Sequence, residues 1–338
     1  MGRIYLDWNA TAPLRDEARR AMIVAMDVVG NPSSVHAEGR AAKMLVEGAR
    51  ETVAGALGCR VEEVIFTSGA TEAAGVLAGF GAVAVAPTSH DCLAAHARPG
   101  VAEVLAMGLA NSETGVLDEV PLARPARLLL DAVQAVGRVP FAFGWSGADF
   151  AIVSAHKLGG PKGVGALIAQ GGVEIGSLRP GGGQERGRRS GTENVIGIAG
   201  FAAAIRAAQS DLEAGAWERV RDLRDRLEAR ILDGAAGVAV AGADRARLPN
   251  TSCIVTPGWK GETQVMQMDL AGFAVSAGSA CSSGKVGPSR VLAAMGFDES
   301  AARSAIRISL GTVTRENEVL RFADAWLAQH ARFRARAA

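Results

Sequence analysis

The stretch FAIVSAHKLGGPKG, residues 150–163, contains the most informative residue of the chain, Lys157. Its four leading apolar residues predict a buried strand, and the glycines and proline at 159–161 predict a turn after it. Lys157 is therefore expected at the mouth of that strand. An amine whose pKa is lowered by burial can attack a carbonyl and form a Schiff base. A lysine that only caps the strand end is the alternative, and this stretch alone does not decide between them.

A second strand end brings an acid to the same kind of position. The run LLLDAVQ, residues 128–134, is short and apolar, delivers Asp131 at its end, and places Gln134 three residues further on. Open α/β sheets bind ligands at such strand ends. A pyridoxal phosphate (PLP) site requires a Schiff-base lysine and an acid that keeps the ring nitrogen protonated. Lys157 and Asp131 could supply both, although a lone Asp at a strand end is more often a turn or helix cap.

The length and the net charge of the chain place few limits on its binding partners. A chain of 338 residues is long enough for one large domain or two ordinary ones, and two are expected. Lys and Arg number 36 against 35 Asp and Glu, a formal net charge of +1. Nothing in this balance indicates nucleic acid or a charged membrane surface, so neither is expected as a partner.

The cysteines favour a reducing compartment. Cys59, Cys92, Cys253 and Cys281 stand far apart without a CxxC pair, and the first residues show no secretory pattern. We expect reduced thiols, a cytoplasmic location and no metal site. The long uncharged stretch 73–90 is rich in Ala and Gly and contains a proline, which predicts a buried helix and strand in a soluble protein rather than a membrane span.

Alternation of apolar runs with helical segments predicts an α/β fold with a mostly parallel sheet flanked by helices. A short strand at residues 4–6 precedes helices around 15–28 and 37–57. The pattern turns helical from about residue 193, and a smaller α+β domain is predicted beyond it, with strands near 252–255 and 305–310, a helix after Gly261 and a terminal helix. The predicted domains are 13–208 (large), and 1–12 with 209–338 (small). Strands of the large domain are predicted at residues 64–66, 82–86, 102–106, 127–130, 150–153 and 164–168.

The run TSGATE, residues 67–72, ends an apolar strand and opens a helix, so free backbone N–H groups and a hydroxyl converge there. Such a helix start is an anion site, and the alternative is an ordinary helix cap with Glu72 in the first turn. The Walker pattern is missing, which argues against a P-loop. Because Ser154 and His156 are expected at the same sheet edge, a cofactor phosphate is the better interpretation.

Three further sequence features contain residues that could react with or bind a ligand. Cys281 lies in SAGSACSSG, residues 276–284, and a thiol on a loop of small residues can travel between a cleft and an external partner, which favours a nucleophile over a bystander. Arg307 alternates with apolar neighbours in a predicted strand and could bind a carboxylate bidentately, or could be an exposed strand-face arginine. The run GGGQERGRRSGT, residues 181–192, predicts an ordered loop against an anion. An RNA-binding loop is less favoured because interleaved aromatics are missing.

Taken together, these runs resemble the cysteine desulfurases of the NifS and IscS kind, PLP enzymes of aminotransferase class V with fold type I. The resemblance covers nearly the whole chain. The runs that carry it are residues 5–11, 30–34, 67–72, 111–115, 131–134, 154–157, 181–194, 276–282 and 304–311.

The resemblance implies a role for each candidate residue. Lys157 would hold PLP and remove the α-proton, Asp131 would pair with the ring nitrogen, Gln134 would bond the ring hydroxyl, and His90 would stack on the ring and manage a thiol proton. Cys281 would carry the persulfide. The phosphate would be held by Ala70, Thr71, Ser154, His156 and, across a homodimer interface, Thr192 of the partner subunit. The carboxylate of L-cysteine would be held by Asn111 and Arg307, with Asn9 as a further candidate.

The implied reaction removes sulfur from L-cysteine, gives L-alanine and an enzyme persulfide, and passes the sulfur to an iron–sulfur scaffold or a tRNA-thiolation protein. A selenocysteine lyase or related class V lyase is the alternative within the class. A non-catalytic regulatory subunit with the same fold is the alternative outside it. The chain departs from the family at residues 91–110, where a longer stretch with a helix and a strand is usual. This short interval leaves His96 as an alternative to His90.

Overall fold

The computed structural model describes residues 2–121, 126–278 and 287–337. The described chain divides into two compact units. The larger unit contains Thr11–Leu109 and Glu119–Glu213, and the smaller unit contains Met1–Ala10, Ala110–Asp118 and Ala214–Ala338. The short segment 110–118 belongs to the smaller unit because its backbone bonds there: the N–H of Leu248 donates to Gly115 O at 2.7 Å, and that of Leu117 donates to Ala246 O at 2.8 Å.

The described strands and helices follow the predicted order along the chain. The strands are β1 (Ile4–Tyr5), β2 (Val64–Thr67), β3 (Val83–Val85), β4 (Val104–Gly108), β5 (Arg127–Asp131), β6 (Phe150–Ser154), β7 (Gly165–Ala169), β8 (Ala239–Val240), β9 (Thr251–Val255), β10 (Phe273–Ala274), β11 (Ser276–Ala277) and β12 (Ala305–Ser309). The helices are α1 (Asp16–Met26), α2 (Ala37–Leu57), α3 (Ala70–Ala74), α4 (Asp91–Ala94), α5 (Phe143–Ser146), α6 (Val195–Glu213), α7 (Ala216–Gly234), α8 (Gly261–Leu270), α9 (Arg290–Ala294), α10 (Glu299–Arg303) and α11 (Glu316–Ala337).

The larger unit is built on a six-stranded sheet in the order β2-β7-β6-β5-β4-β3. Strands β3 to β6 are mutually parallel, and β7 is antiparallel to both of its neighbours. All residues of β6 and β7 are buried, as expected for apolar runs covered on both faces. The prediction of a mostly parallel sheet with flanking helices is confirmed.

Helix boundaries in the larger unit follow local signals. Helix α2 begins after His36, whose Nδ1 accepts the N–H of Gly39 at 3.3 Å, and it ends at Gly58, which has φ +62°. Glycine is favoured there because the left-handed conformation that closes a helix is strained for other residues. The uncharged stretch 73–90 forms the end of α3, a 3-10 turn and β3, which confirms the predicted helix and strand.

Helix α6 is the one helix in the described residues that is long and apolar enough to cross a membrane by length and composition. It packs against α1 and α2, and Phe201 and Ile205 on it are fully buried in the core of the larger unit. The ring of Phe201 meets that of Phe66 edge-on at 6.4 Å. These contacts are those of a core helix.

The smaller unit is α+β, as predicted. Strands β11, β12, β9 and β8 form an antiparallel sheet in that order, and β1 pairs in parallel with β10. Helices α7 and α11 pack against each other. Trp326 on α11 is fully buried and donates through Nε1 to Gln264 on α8 at 3.0 Å. Because the indole N–H has this acceptor, the free-energy cost of burying it is low.

Candidate active site at the carboxyl edge of the large sheet

The larger unit collects strand ends at one edge of its sheet. Because β2 and β6 are both antiparallel to β7, β2 runs in the same direction as β3 to β6. The segments that follow these strands therefore emerge at a common edge, where α/β sheets bind ligands. The predicted residues that follow them are Ala70, Thr71, His90, Asp131, Gln134, Ser154, His156 and Lys157. Thr192 lies exposed in the same unit, Asn9, Asn111 and Arg307 belong to the smaller unit, and Cys281 lies outside the described residues.

Asp131 is the buried last residue of β5, in register with Ile152 of β6. Its Oδ1 accepts the N–H of Val133 at 3.0 Å. Burial raises the pKa of Asp131 above its ordinary value, while that hydrogen bond and the charges of His90 and Lys157 act in the opposite direction. Burial outweighs these opposing interactions, so the carboxylate is disfavoured overall, and a cation that faced it would stabilise it.

Lys157 ends a 3-10 turn, Ala155–Lys157, that begins where β6 stops. The predicted glycine turn folds back on this segment: the N–H of Gly160 donates to Ala155 O at 2.8 Å. A side chain at Gly160 would approach the Ala155 Cβ to 2.8 Å, so the close return requires glycine. Local sequence thus places the half-buried Lys157 at the edge of the sheet beside Asp131, whose pKa its charge affects.

His156 is half-buried, and its Nδ1 lies 3.2 Å from Thr11 Oγ1. Burial, together with the charges of Lys157 and Lys162, lowers the pKa of His156 to about 4. The ring is consequently neutral at physiological pH. It can donate a hydrogen bond to an anion without adding a positive charge beside Lys157.

The turn between β2 and α3 approaches the neighbouring strand closely. A side chain on Gly165 of β7 would meet Gly69 Cα at 2.8 Å, so only glycine fits. A Cβ at Gly69 would lie 3.9 Å from the Ser154 hydroxyl, which brings Ser154 to the start of α3. The first N–H groups of a helix have no acceptor within the helix. Ala70, Thr71 and Ser154 therefore place hydrogen-bond donors around one position.

Glu72 connects this turn to a distant loop. Its Oε2 accepts the Ser68 N–H at 2.6 Å, and its Oε1 accepts Nε of Arg179 at 3.2 Å and Nε of Arg189 at 3.1 Å. Burial acts to raise the pKa of Glu72, but the Ser68 hydrogen bonds and Arg189 outweigh it and lower the pKa to about 2. Sequence reasoning gave Glu72 only a capping role. The two arginines lie more than 100 residues away along the chain, and no local pattern indicates such pairs.

His90 caps the start of α4, with its Nδ1 accepting the Cys92 N–H at 3.1 Å. In the neutral ring the proton is then on Nε2. His90 interacts electrostatically with Asp131, whereas the charged group that adds to burial in lowering the pKa of His96 is Arg98. The interaction with Asp131 supports His90 rather than His96 as the candidate histidine.

Sequence reasoning missed Arg138. This arginine is buried, and its Nη1 donates to the side-chain Oε1 and, at 3.3 Å, to the backbone oxygen of Gln134. Its Nη2 donates to the backbone oxygen of Lys157 at 3.0 Å. The available signal was its position four residues after Gln134, a spacing at which side chains meet on one helical face.

Arg307 and Asn9 meet in the smaller unit. Arg307 is 2% exposed, which makes the alternative of an exposed strand-face arginine wrong. Its Nη2 donates to Asp7 Oδ1 at 2.8 Å, and its Nη1 donates to Ser112 O at 3.1 Å. Asn9 Nδ2 donates to the same Ser112 oxygen at 3.1 Å. The Asn9 amide also donates to Thr251 Oγ1 at 2.9 Å, so both of its N–H groups have acceptors in this unit, and the fixed guanidinium of Arg307 is the group suited to a carboxylate.

Asn111 directs its donor group by using its oxygen elsewhere. The Asn111 Oδ1 accepts the N–H groups of Glu113 and Thr114, each at 2.9 Å, and the hydroxyl of Thr114 at 3.1 Å. This turn is typical of asparagine, whose side chain bonds the backbone two and three residues ahead. Because Oδ1 accepts these bonds, the donor of the Asn111 side chain is its Nδ2 amide.

The base of the segment that leads to Cys281 lies beside Arg307. Strand β11 pairs with β12 so that Ser276 is in register with Arg307, and the Ser276 hydroxyl donates to Asp7 Oδ2 at 2.8 Å. The cysteines in the described residues are free thiols. Burial, reinforced by Glu63 and Glu62, raises the pKa of Cys59 to about 12, and burial raises the pKa of Cys253. Neither is a reactive thiolate at neutral pH.

The larger unit's donor set fits PLP. A buried acid, Asp131, suits a protonated ring nitrogen, and Lys157 supplies an amine beside it. The start of α3, the Ser154 hydroxyl and neutral His156 suit a phosphate dianion. The ring nitrogen, the aldehyde and the phosphate of the cofactor thus each have a complementary group at this edge.

Comparison with known proteins shows extensive similarity. The family model described as aminotransferase class-V matches residues 4–90 and 86–322. A cysteine desulfurase from Cereibacter sphaeroides is 39% identical over 96% of this chain and 95% of its own length, and one from Frankia sp. (strain EuIK1) is 40% identical over 95% and 90%. Among solved structures, a NifS-like protein from Rickettsia africae is 30% identical, with a TM-score of 0.87 over 97% of this chain and 99% of its own.

The comparison also locates the departure from the family. The family match is split at residues 86–90, directly before the short interval noted in the sequence. The alignment with the Cereibacter sphaeroides protein runs over 372 residues, longer than the 338 of this chain, so the relative has segments that this chain lacks. In the structure, the connection from β3 to β4 contains the single helical turn α4.

Proposed function

The chain belongs to the aminotransferase class-V family, and on that premise we propose that it is a cysteine desulfurase. Its reaction is the conversion of L-cysteine to L-alanine, with the sulfur retained as a persulfide on Cys281. The observation that carries this proposal is the position of Asp131 and Lys157 at neighbouring strand ends, within electrostatic reach of each other, in a chain whose curated relatives bear that name.

PLP, when bound, supplies an electron sink for the electrons released at the substrate α-carbon. Asp131 would hold the ring nitrogen, Gln134 the ring hydroxyl, and His90 the ring face. The buried position of Asp131 makes its charge effective, since water does not screen it. The residues proposed for the phosphate are Ala70, Thr71, Ser154 and His156, with Thr192 of the partner subunit in a homodimer.

Lys157 would hold the cofactor at rest and then take the α-proton of the substrate on Nζ. The 3-10 turn and the hydrogen bond from Arg138 to the Lys157 carbonyl hold the backbone of Lys157 in place. Movement is therefore confined to its side chain. Arg307 and Asn111 would bind the carboxylate of L-cysteine, with Asn9 as a further candidate. Arg307 suits this role because Asp7 and Ser112 already orient its guanidinium, which limits the entropy lost on binding.

Cys281 would receive the sulfur. As a thiolate it attacks the sulfur of the substrate, the carbon–sulfur bond breaks, and the new sulfur–sulfur bond leaves a persulfide on Cys281. The three-carbon product takes up protons and leaves as L-alanine, and His90 would move a thiol proton on Nε2, since its Nδ1 accepts the Cys92 N–H. The atoms balance as L-cysteine and a thiol giving L-alanine and a persulfide.

The persulfide would then pass to an acceptor protein, either an iron–sulfur scaffold or a tRNA-thiolation protein, in the cytoplasm. A homodimer is part of the proposal, since Thr192 is exposed on the larger unit and could contribute to the phosphate site of a second copy of the chain. No direct contact with nucleic acid is part of the proposal.

The test is to incubate the purified protein with PLP, L-cysteine and a reducing thiol and to measure L-alanine and sulfide. Lys157→Ala should lose turnover. Cys281→Ser should bind L-cysteine and change the cofactor spectrum, but should form no persulfide. A protein that stays colourless with added PLP would contradict the proposal, and an unchanged Cys281→Ser rate would contradict the sulfur route. Faster release of alanine from selenocysteine than from cysteine would favour a selenocysteine lyase.

A further inference from the structure

Arg138 joins two segments of the candidate site that the sheet leaves separate. The pairing of β5 with β6 extends to Asp131 and Ile152, and the Ala132 N–H donates to Ile152 O at 3.1 Å. Beyond the ends of these two strands, the guanidinium of Arg138 contacts both segments. It donates to Gln134 in the segment after β5 and to the Lys157 carbonyl in the segment after β6. The planar fork of arginine, with five donors, permits such a two-sided contact.

Arg138 is held in place by a series of turns that requires a glycine. Residues 132–139 form consecutive turns, in which the N–H of Arg138 and that of Val139 both donate to Ala135 O at 3.0 Å. Gly137 has φ +73°, and a side chain on it would approach Ala208 Cβ to 2.7 Å. Only glycine permits the turn against α6, so Arg138 is held 4% exposed against the sheet.

The contact with Arg138 determines which end of the Gln134 amide is directed elsewhere. Arginine has only donors, so the atom of Gln134 that faces it must be the oxygen. The opposite side of the Gln134 amide is then its Nε2 group, which is a donor. A hydrogen bond from this amide suits an ionised ring oxygen and disfavours its protonated form.

We propose that Arg138 is a positioning residue of the cofactor site, which orients Gln134 as a donor toward the ring oxygen of PLP and ties it to the Lys157 backbone. This inference rests on the proposed function. Arg138 does not touch the reacting atoms. It acts through Gln134 and through the turn that presents Lys157.

Two effects of removing Arg138 have the same direction. Without the guanidinium, Gln134 loses the contact that sets the orientation of its amide, and the ring oxygen would lose an ordered donor, so its negative charge would interact more strongly with the protonated nitrogen at Lys157. Loss of a nearby positive charge also favours that protonated form. The pH midpoint of the visible absorption of the bound cofactor should therefore rise.

The test compares wild type with Arg138→Met, Arg138→Lys and the control Arg98→Met. Arg98 also donates to backbone carbonyls of the larger unit, including Gly81 O at 3.2 Å, but it pairs with Val83 at the start of β3, the opposite edge of the sheet. Arg138→Met should bind PLP about tenfold more weakly and raise the absorption midpoint by about one pH unit. Arg98→Met should leave both quantities at wild-type values.

Arg138→Lys keeps the charge but cannot donate to both segments as a fork. It should retain the wild-type midpoint and recover only part of the PLP affinity. If Arg138→Met does not fold, a wild-type PLP affinity in Arg138→Lys would overturn the inference. In a folded Arg138→Met, wild-type affinity and midpoint would overturn it. If wild type itself binds no PLP, the proposed function fails instead, so the two failures are distinguishable.

Discussion

Arg189 donates through Nε to Glu72 Oε1 at 3.1 Å, which links the turn at the start of α3 to the loop that carries Thr192. The other oxygen of Glu72 accepts the Ser68 N–H at 2.6 Å, so one carboxylate orders both segments. In the proposed function these segments hold the cofactor phosphate from one subunit and from its partner. Glu72 thus supports the phosphate site although it need not touch the phosphate.

Glu72→Gln should weaken PLP binding and reduce stability near neutral pH. The pKa of Glu72 is lowered to about 2, below its ordinary value, so its stabilisation is complete above pH 4.5 and is lost as the pH falls toward 2. Solvent near Arg179 screens part of the interaction, and the expected loss is about 1 kcal/mol. Urea unfolding of the apoprotein at pH 7 and pH 3 measures it. The difference between variant and wild type should be clearly smaller at pH 3 than at pH 7, and an equal difference at both pH values would contradict the ion-pair explanation.

Asp131→Asn should stabilise the apoprotein and at the same time lower the turnover of the enzyme. Burial raises the pKa of Asp131, so without a cofactor the folded chain loses stability as the pH rises through that raised pKa. The neutral amide avoids this cost, and the apo variant should be more stable than apo wild type at pH 7 by about 1 kcal/mol. Turnover should fall by about 100-fold, because the ring nitrogen loses its buried acid. Thermal unfolding of the apoproteins and alanine release measure the two effects. A destabilised apo variant would contradict the inferred cost of the buried charge.

His156→Asn should reduce the change in the free energy of unfolding between pH 4 and pH 7. The pKa of His156 is about 4 in the folded chain, below its ordinary value of 6.5. Its contribution to stability is complete above pH 6.5 and is lost as the pH falls toward 4, with a slope of up to about 1 kcal/mol per pH unit. Urea unfolding between pH 4 and pH 7 should show this slope in wild type and in the control His36→Asn, which alters the exposed cap of α2. The same slope in His156→Asn would show that another group is responsible.

Arg307→Lys should raise the KM for L-cysteine by about 10- to 100-fold, because an ammonium cannot replace a bidentate guanidinium held by Asp7 and Ser112. PLP affinity should not change. The matched control is Arg247→Lys in the same unit, since Arg247 forms a buried ion pair with Glu228 through contacts of 2.7 and 2.8 Å. That control should lower the melting temperature without raising KM. Equal KM values for the two variants would exclude a carboxylate-binding role for Arg307.

Much of the fold follows from local patterns. Apolar runs of three to five residues became the strands of the large sheet, and the central ones are buried on both faces. The uncharged stretch 73–90 was correctly interpreted as helix and strand rather than as a membrane span. Segment 110–118 is different, because its place in the smaller unit depends on backbone bonds to residues more than 120 positions later.

The sequence by itself determined which residues stand at strand ends: Lys157 after β6, Asp131 at the end of β5, and the start of α3 after β2. Strand length, apolar pattern and glycine turns are local properties, so each can be read from a few neighbouring residues. Only the tertiary structure decided how these residues are supported. Arg138 reaches the Lys157 carbonyl, Glu72 reaches Arg189, and Asp7 reaches Arg307 across 19, 117 and 300 residues of sequence. Such pairs form because the fold brings buried charges to partners that offset their desolvation, and no periodicity in the chain records that requirement.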